Sequence, residues 1–189
     1  MPFSRIVFAV TLATALAAAI PIADAHAADT GAPTRDGTHD FDFDLGTWRT
    51  DITRRVHPLS GSDETVHLTG TVTVHKLWNG RAQVEEIEVG GPAIHWEGMT
   101  VFLYDPETRQ WSMNFANGAV GKMTPPMIGS LQDGRIQLIG TDTVDGRAVI
   151  VRAIWSDFTP TSHTYQESVS ADGGTTWAVY FTAHKAKLQ

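Results

Sequence analysis

From Phe41 onward, short segments rich in β-forming residues alternate with tight turn signals, the signature of an all-β meander. Asn79-Gly80 suits a two-residue hairpin loop that needs positive φ at both central positions. Tyr104-Asp105-Pro106-Glu107-Thr108 places Pro where a type I turn wants a fixed φ. Asp133-Gly134, Asp145-Gly146 and Asp172-Gly173-Gly174 supply three more turns. The segments between them are rich in Val, Ile, Thr and aromatics, and none holds a helical apolar period for three turns. The chain is therefore expected to be all-β, with strands near 48–56, 67–77, 82–89, 96–104, 111–117, 135–143, 148–157, 163–170 and 176–187. A tenth short strand is expected near 127–131, after the Pro125-Pro126 break, and a helical turn over 41–46 is the only helix the pattern allows. Nine or ten strands joined mostly by hairpins can close on themselves and remove their edges. A single antiparallel up-and-down barrel is the expectation, and a two-sheet sandwich is its alternative.

Ahead of this domain the sequence has a different character. Arg5 gives a positive start, a nearly uncharged apolar run follows from Ile6 to Ile22, and Ala25-His26-Ala27 places small residues where a signal peptidase cuts. Residues 1–27 therefore read as a signal peptide cleaved near Ala27-Ala28, residues 28–40 as a flexible lead, and 41–189 as the barrel domain. A retained anchor is the alternative, but the run contains Pro21 and is at the short limit for a spanning helix. The expected location is periplasmic or secreted, with no integral membrane segment once the signal is removed. Without any cysteine there is neither a lipid-anchor site nor a disulfide. Roughly 160 residues remain, enough for one domain with a real core, and six Trp, six Phe and three Tyr are available to fill it. The net charge of −7, with scattered basic residues, gives no electrostatic support for binding nucleic acid or an anionic membrane.

Phe41-Asp-Phe-x-x-Gly46-x-Trp48 resembles the opening of calycin-type barrels, where Gly-x-Trp begins the first strand and the Trp plugs the closed end. In lipocalins a late basic residue stacks over that Trp. Here the candidates are His184, Lys185 and Lys187, and the Arg of the lipocalin pattern is absent. A wider likeness adds Arg54-Arg55, Leu59-x-Gly61, Tyr104-Asp-Pro-x-Thr108-x-x-Trp111, Trp155-Ser-Asp157 and Asp172-Gly-Gly-x-x-Trp177. Together these resemble an uncharacterised bacterial family of lipocalin-like barrels, a domain of unknown function. That resemblance implies the fold and brings no catalytic residues. Ser170-x-Asp172-x-Gly174-x-Thr176-Trp177 also matches the Asp-box of sialidase propellers, but one copy in so short a chain reads as a stabilised hairpin.

Chemistry is sparse. The histidines show no H-E-x-x-H spacing, and His95 and Glu97 would need a third ligand from another strand, so no metal site and no cofactor are expected. There is no Gly-x-Ser-x-Gly elbow and no phosphate loop. Haem held by His184 in the last strand is a minor alternative.

Hairpin registers supply the site candidates. The Asn79-Gly80 turn places Val74 opposite Glu85 and leaves Glu85 on an apolar face with Val72, Val74, Ile87 and Val89, its partner being Arg81, Lys76 or Arg152. A turn centred on Thr159-Pro160 sets Arg152 opposite Glu167, beside Tyr165, as a cross-strand ion pair. The Pro106-Glu107 turn pairs Met99 with Asn114, near Glu97, and groups Trp96, Phe102, Trp111, Met113 and Phe115 on the other face. Glu85, Trp96, Glu97, Asn114, Arg152, Tyr165 and Glu167 are the candidate ligand-binding residues. The expected function is an exported barrel that binds a small hydrophobic or amphipathic molecule. An isomerase or cyclase using Glu85, Glu97 or Glu167 as general acid or base is the enzymatic alternative.

Overall fold

The computed structural model describes residues 35–92 and 94–188. The expected signal peptide and most of the lead lie outside the described residues. A short 3-10 turn, Asp42–Asp44, precedes ten strands: β1 (Gly46–Arg55), β2 (Thr65–Leu77), β3 (Ala82–Gly90), β4 (His95–Asp105), β5 (Gln110–Asn117), β6 (Met127–Gln132), β7 (Arg135–Val144), β8 (Arg147–Ser156), β9 (Ser162–Ser170) and β10 (Ala178–Lys187). Each pairs antiparallel with the next, and β1 pairs with β10, so the sheet is a closed up-and-down barrel rather than a sandwich.

The turns form where backbone chemistry favours them. Asp133-Gly134 and Asp145-Gly146 both sit at positive φ (51° and 74° in each pair), the conformation of a tight hairpin with matching twist. At Asn79-Gly80 the positive φ begins one residue early, at Trp78, within a 3-10 turn. The register is unaffected, with Leu77 opposite Ala82 and Val74 opposite Glu85.

Period-two burial then decides which side chains fill the interior. In β8, Val149, Val151, Ala153 and Trp155 are buried on one face. One end of the barrel is plugged. Phe41 is fully buried there, its ring 4.8 Å from Phe102, 5.2 Å from Trp111 and 5.0 Å from Trp155. Trp48 is equally buried, and its indole donates to the Asp44 carbonyl at 2.7 Å. The late basic residue over Trp48 is Lys187, whose ammonium stands 5.1 Å from the ring centre. Gly46 enters β1 at φ +107°, a conformation open to glycine and strained for other residues.

Two expected registers differ. In β4–β5, Asn114 faces Val101 rather than Met99, because four residues (106–109) with Arg109 at φ 56° make the turn. That shift is even, so the faces are as expected. In β8–β9 the shift is odd: Arg152 faces Ser168, and Glu167 faces Ala153. Asp157 at φ 56° adds a residue to the connection, and a one-residue slip sends Arg152 and Glu167 to opposite faces. The expected Arg152–Glu167 pair does not exist.

Candidate ligand-binding cavity

Away from the plug the interior is not filled. A cavity of about 410 Å³ lies between the plugged end and the loops that follow β1, β3, β5, β7 and β9. Its walls are mostly apolar and aromatic, including Ile52, Ile87, Trp96, Phe115, Trp155 and Phe181. Gly98 between Trp96 and Phe115 leaves room for these rings to meet edge to face at 5.9 Å, since a Cβ there would stand 2.8 Å from Trp96 and 2.7 Å from Phe115.

Two buried polar clusters interrupt the apolar wall, and Arg54 and Asp142 add exposed charges to the lining. The first is at the floor, where the buried Lys185 ammonium lies 2.6 Å from Glu85 Oε1 and 3.2 Å from both oxygens of Asp44. Asp44 comes from the 3-10 turn, Glu85 from β3 and Lys185 from β10, so the ammonium ties the entering segment to the two strands that flank β1 and β2. His163, opposite Lys185 on β9, places Nε2 3.1 Å from Asp44 Oδ1, with its ring against Trp48. Burial works against both charged forms. The Lys185 charge nevertheless lowers the Asp44 carboxyl below its ordinary value, and the two carboxylates raise Lys185 above its own. Thr50 and Gln83 are also buried among these strands, and neither the Thr50 hydroxyl nor the Gln83 amide has a protein partner.

The second group is on the wall. Glu167 accepts hydrogen bonds from the Tyr165 and Tyr180 hydroxyls, one on each oxygen, and all three residues line the cavity. Burial raises the Glu167 carboxyl above the usual range, against the pull of the two phenols. Both tyrosines are raised as well, first by burial and then by the adjacent carboxylate. Tyr180 reaches the interior beside Phe181 because the β9–β10 register shifts between Val179 and Phe181.

Of the sequence-expected site residues, the fold brings Glu85, Trp96, Tyr165 and Glu167 to this cavity. Arg152 is corrected to the outer face, where its guanidinium lies 4.1 Å from the Trp177 ring centre and Nε donates to Ser168. Glu97 also points outward, onto an acidic outer groove beside Glu86 and Glu88. Asn114 is outside the cavity and donates to the Thr124 carbonyl, which helps hold the 118–126 loop against β5. The partner of Glu85 is Lys185, not Arg81, Lys76 or Arg152. His184 is exposed and meets Thr164 at 3.3 Å, so it cannot hold a haem inside the barrel. Among the described residues no group of three or more His, Cys, Asp or Glu is arranged to hold a metal ion. No helix among them is long and apolar enough to cross a membrane.

Asp44, Lys185, His163 and Tyr180 were missed as site residues. Lys185 had a readable signal, since β10 alternates so that Phe181, Ala183 and Lys185 share one face. Tyr180 had none, because alternation cannot anticipate a bulge.

No family model matches the chain, and no curated protein does. Among solved structures it is similar to an S-type phycobiliprotein lyase from Guillardia theta, at 12% identity and a TM-score of 0.56. The match covers 82% of this chain and 94% of the other. At that identity the likeness speaks to the fold, a lipocalin-like barrel.

Proposed function

We propose that this is an exported binding protein for a small amphipathic molecule held inside the barrel, and that it belongs to the bacterial lipocalin-like family its sequence resembles. The observation that carries the binding reading is the cavity: about 410 Å³, apolar and aromatic walls, and two convergent polar groups, at Glu85–Lys185 and at Glu167. That composition is typical of small-molecule sites, where apolar walls hold the ligand and a few polar groups orient it. The Guillardia theta neighbour, by its name a phycobiliprotein lyase, supports the barrel fold on which the binding reading rests. Native mass spectrometry of the exported protein should find a co-purifying molecule, and loading the empty protein should change the fluorescence of the cavity residues Trp96 and Trp155. Empty spectra and no response to any amphipathic probe would overturn the reading.

The enzymatic alternative narrows to one residue. Glu85 is neutralised by Lys185 and Glu97 is outside, whereas Glu167 faces the cavity with a raised pKa, as a general base requires. Turnover abolished by Glu167→Gln, with ligand binding retained, would favour that reading.

A further inference from the structure

The charges around the cavity do not balance. At the floor, Lys185 faces two carboxylates, Asp44 and Glu85. No cation is left over at the floor, and Glu167 on the wall adds a further carboxylate. Its two phenol partners are neutral donors, and among the described residues no ion pair reaches it. Of the exposed charges that also line the cavity, Arg54 is positive and Asp142 negative, and they act on Glu167 in opposite senses.

A carboxylate has about four lone-pair directions, and the two phenols occupy only two. Glu167 therefore presents unfilled acceptor capacity and negative charge to a cavity walled by Trp96, Phe115, Trp155 and Phe181. Ring faces attract cations, and an apolar chain is stabilised against the same rings. An anionic head would instead meet like charge at Glu167.

Resting on the reading of this cavity as a ligand site, we propose that it selects cationic amphipathic molecules, with an apolar body against the aromatic wall and a protonated amine on the Glu167 carboxylate. Neither the fold neighbour nor the sequence resemblance indicates a charge preference of this kind.

Three probes of matched chain length test this: decylamine, decanol and decanoate, titrated into the full mature protein near neutral pH below their aggregation limits. Decylamine should bind at least tenfold more tightly than either of the others. Glu167→Gln should bring decylamine to the level of decanol and leave decanol unchanged. Tyr180→Phe, which keeps the charge and removes one donor, should retain the amine preference. Circular dichroism melts establish that each variant folds, and the ranking in the native protein decides the question if Glu167→Gln does not. Equal or tighter binding of decanol or decanoate, or an amine preference that survives Glu167→Gln, overturns the charge proposal and leaves the cavity reading intact. Failure of all three probes to bind overturns both.

Discussion

Lys185 is a buried cation shared by two buried carboxylates. Replacing it with Met would leave Asp44 and Glu85 buried without their cation. Removing one member of a buried charge set typically costs on the order of 3–5 kcal/mol, so urea melts of Lys185→Met should show a loss of that size. The pH profile has a definite sign at each member. Asp44 is lowered, so its stabilising contribution is present above the ordinary Asp range and is lost as pH falls through its folded value. Lys185 is raised, so its contribution is present below the ordinary Lys range and is lost as pH rises through its folded value. Glu167 acts in the opposite sense to Asp44. Its folded pKa is raised, so the ligand-free protein is most stable below the ordinary Glu range and loses stability as pH rises through the folded value. Glu167→Gln should therefore melt at a higher temperature than the native protein at neutral pH and show a flatter profile between acid and neutral. A variant that melts lower at neutral pH would mean the two phenol bonds outweigh the buried charge.

At the scale of the elements, the β8–β9 connection decides where two charges point. With Asp157 in the left-handed region, Arg152 lies outside over Trp177 and Glu167 lies inside. Arg152→Ala should therefore cost roughly 0.5–1 kcal/mol, the range of an accessible cation–π contact, not the several kcal/mol of a broken buried pair. A urea melt showing a loss above about 3 kcal/mol would put Arg152 inside. This connection also marks the limit of what was legible in advance. Strand positions, the closed topology and the Glu85 face followed from apolar alternation and from Asn-Gly and Asp-Gly turns, which have strong local causes. The β8–β9 register depended on one Asp adopting positive φ, and the Tyr180 position on one bulge. Both are single-residue events, and period-two patterning is blind to them. The Asp44–Lys185 contact spans 141 positions and becomes visible only once the barrel is closed.

For the molecule as a whole, the export reading makes a direct prediction. Ala25-His26-Ala27 should be the cleavage triplet, so intact-mass analysis of the secreted or periplasmic protein should give a chain beginning at Ala28. A full-length chain beginning at Met1 in a membrane fraction would instead make the apolar run an anchor. The closure that removes sheet edges also joins β1 to β10, with Trp48 opposite Lys187 and the Leu188 amide donating to the Thr47 carbonyl.

That pairing has a practical side. The described chain starts and finishes at the plugged end, where Gly37 meets Tyr104 and Trp111 and where Leu188 meets Thr47. The cavity opens through loops at the far end. A linker, a surface or a fluorescent partner attached at Arg35 or Leu188 would therefore stand behind the vessel and leave its opening unobstructed. With Arg35 and Leu188 at one end of the barrel, a linker could join them and the chain be reopened elsewhere, as circular permutation requires. The 118–126 loop at the rim is the natural place to cut, and a permutant opened there could report on ligand entry through its own new ends.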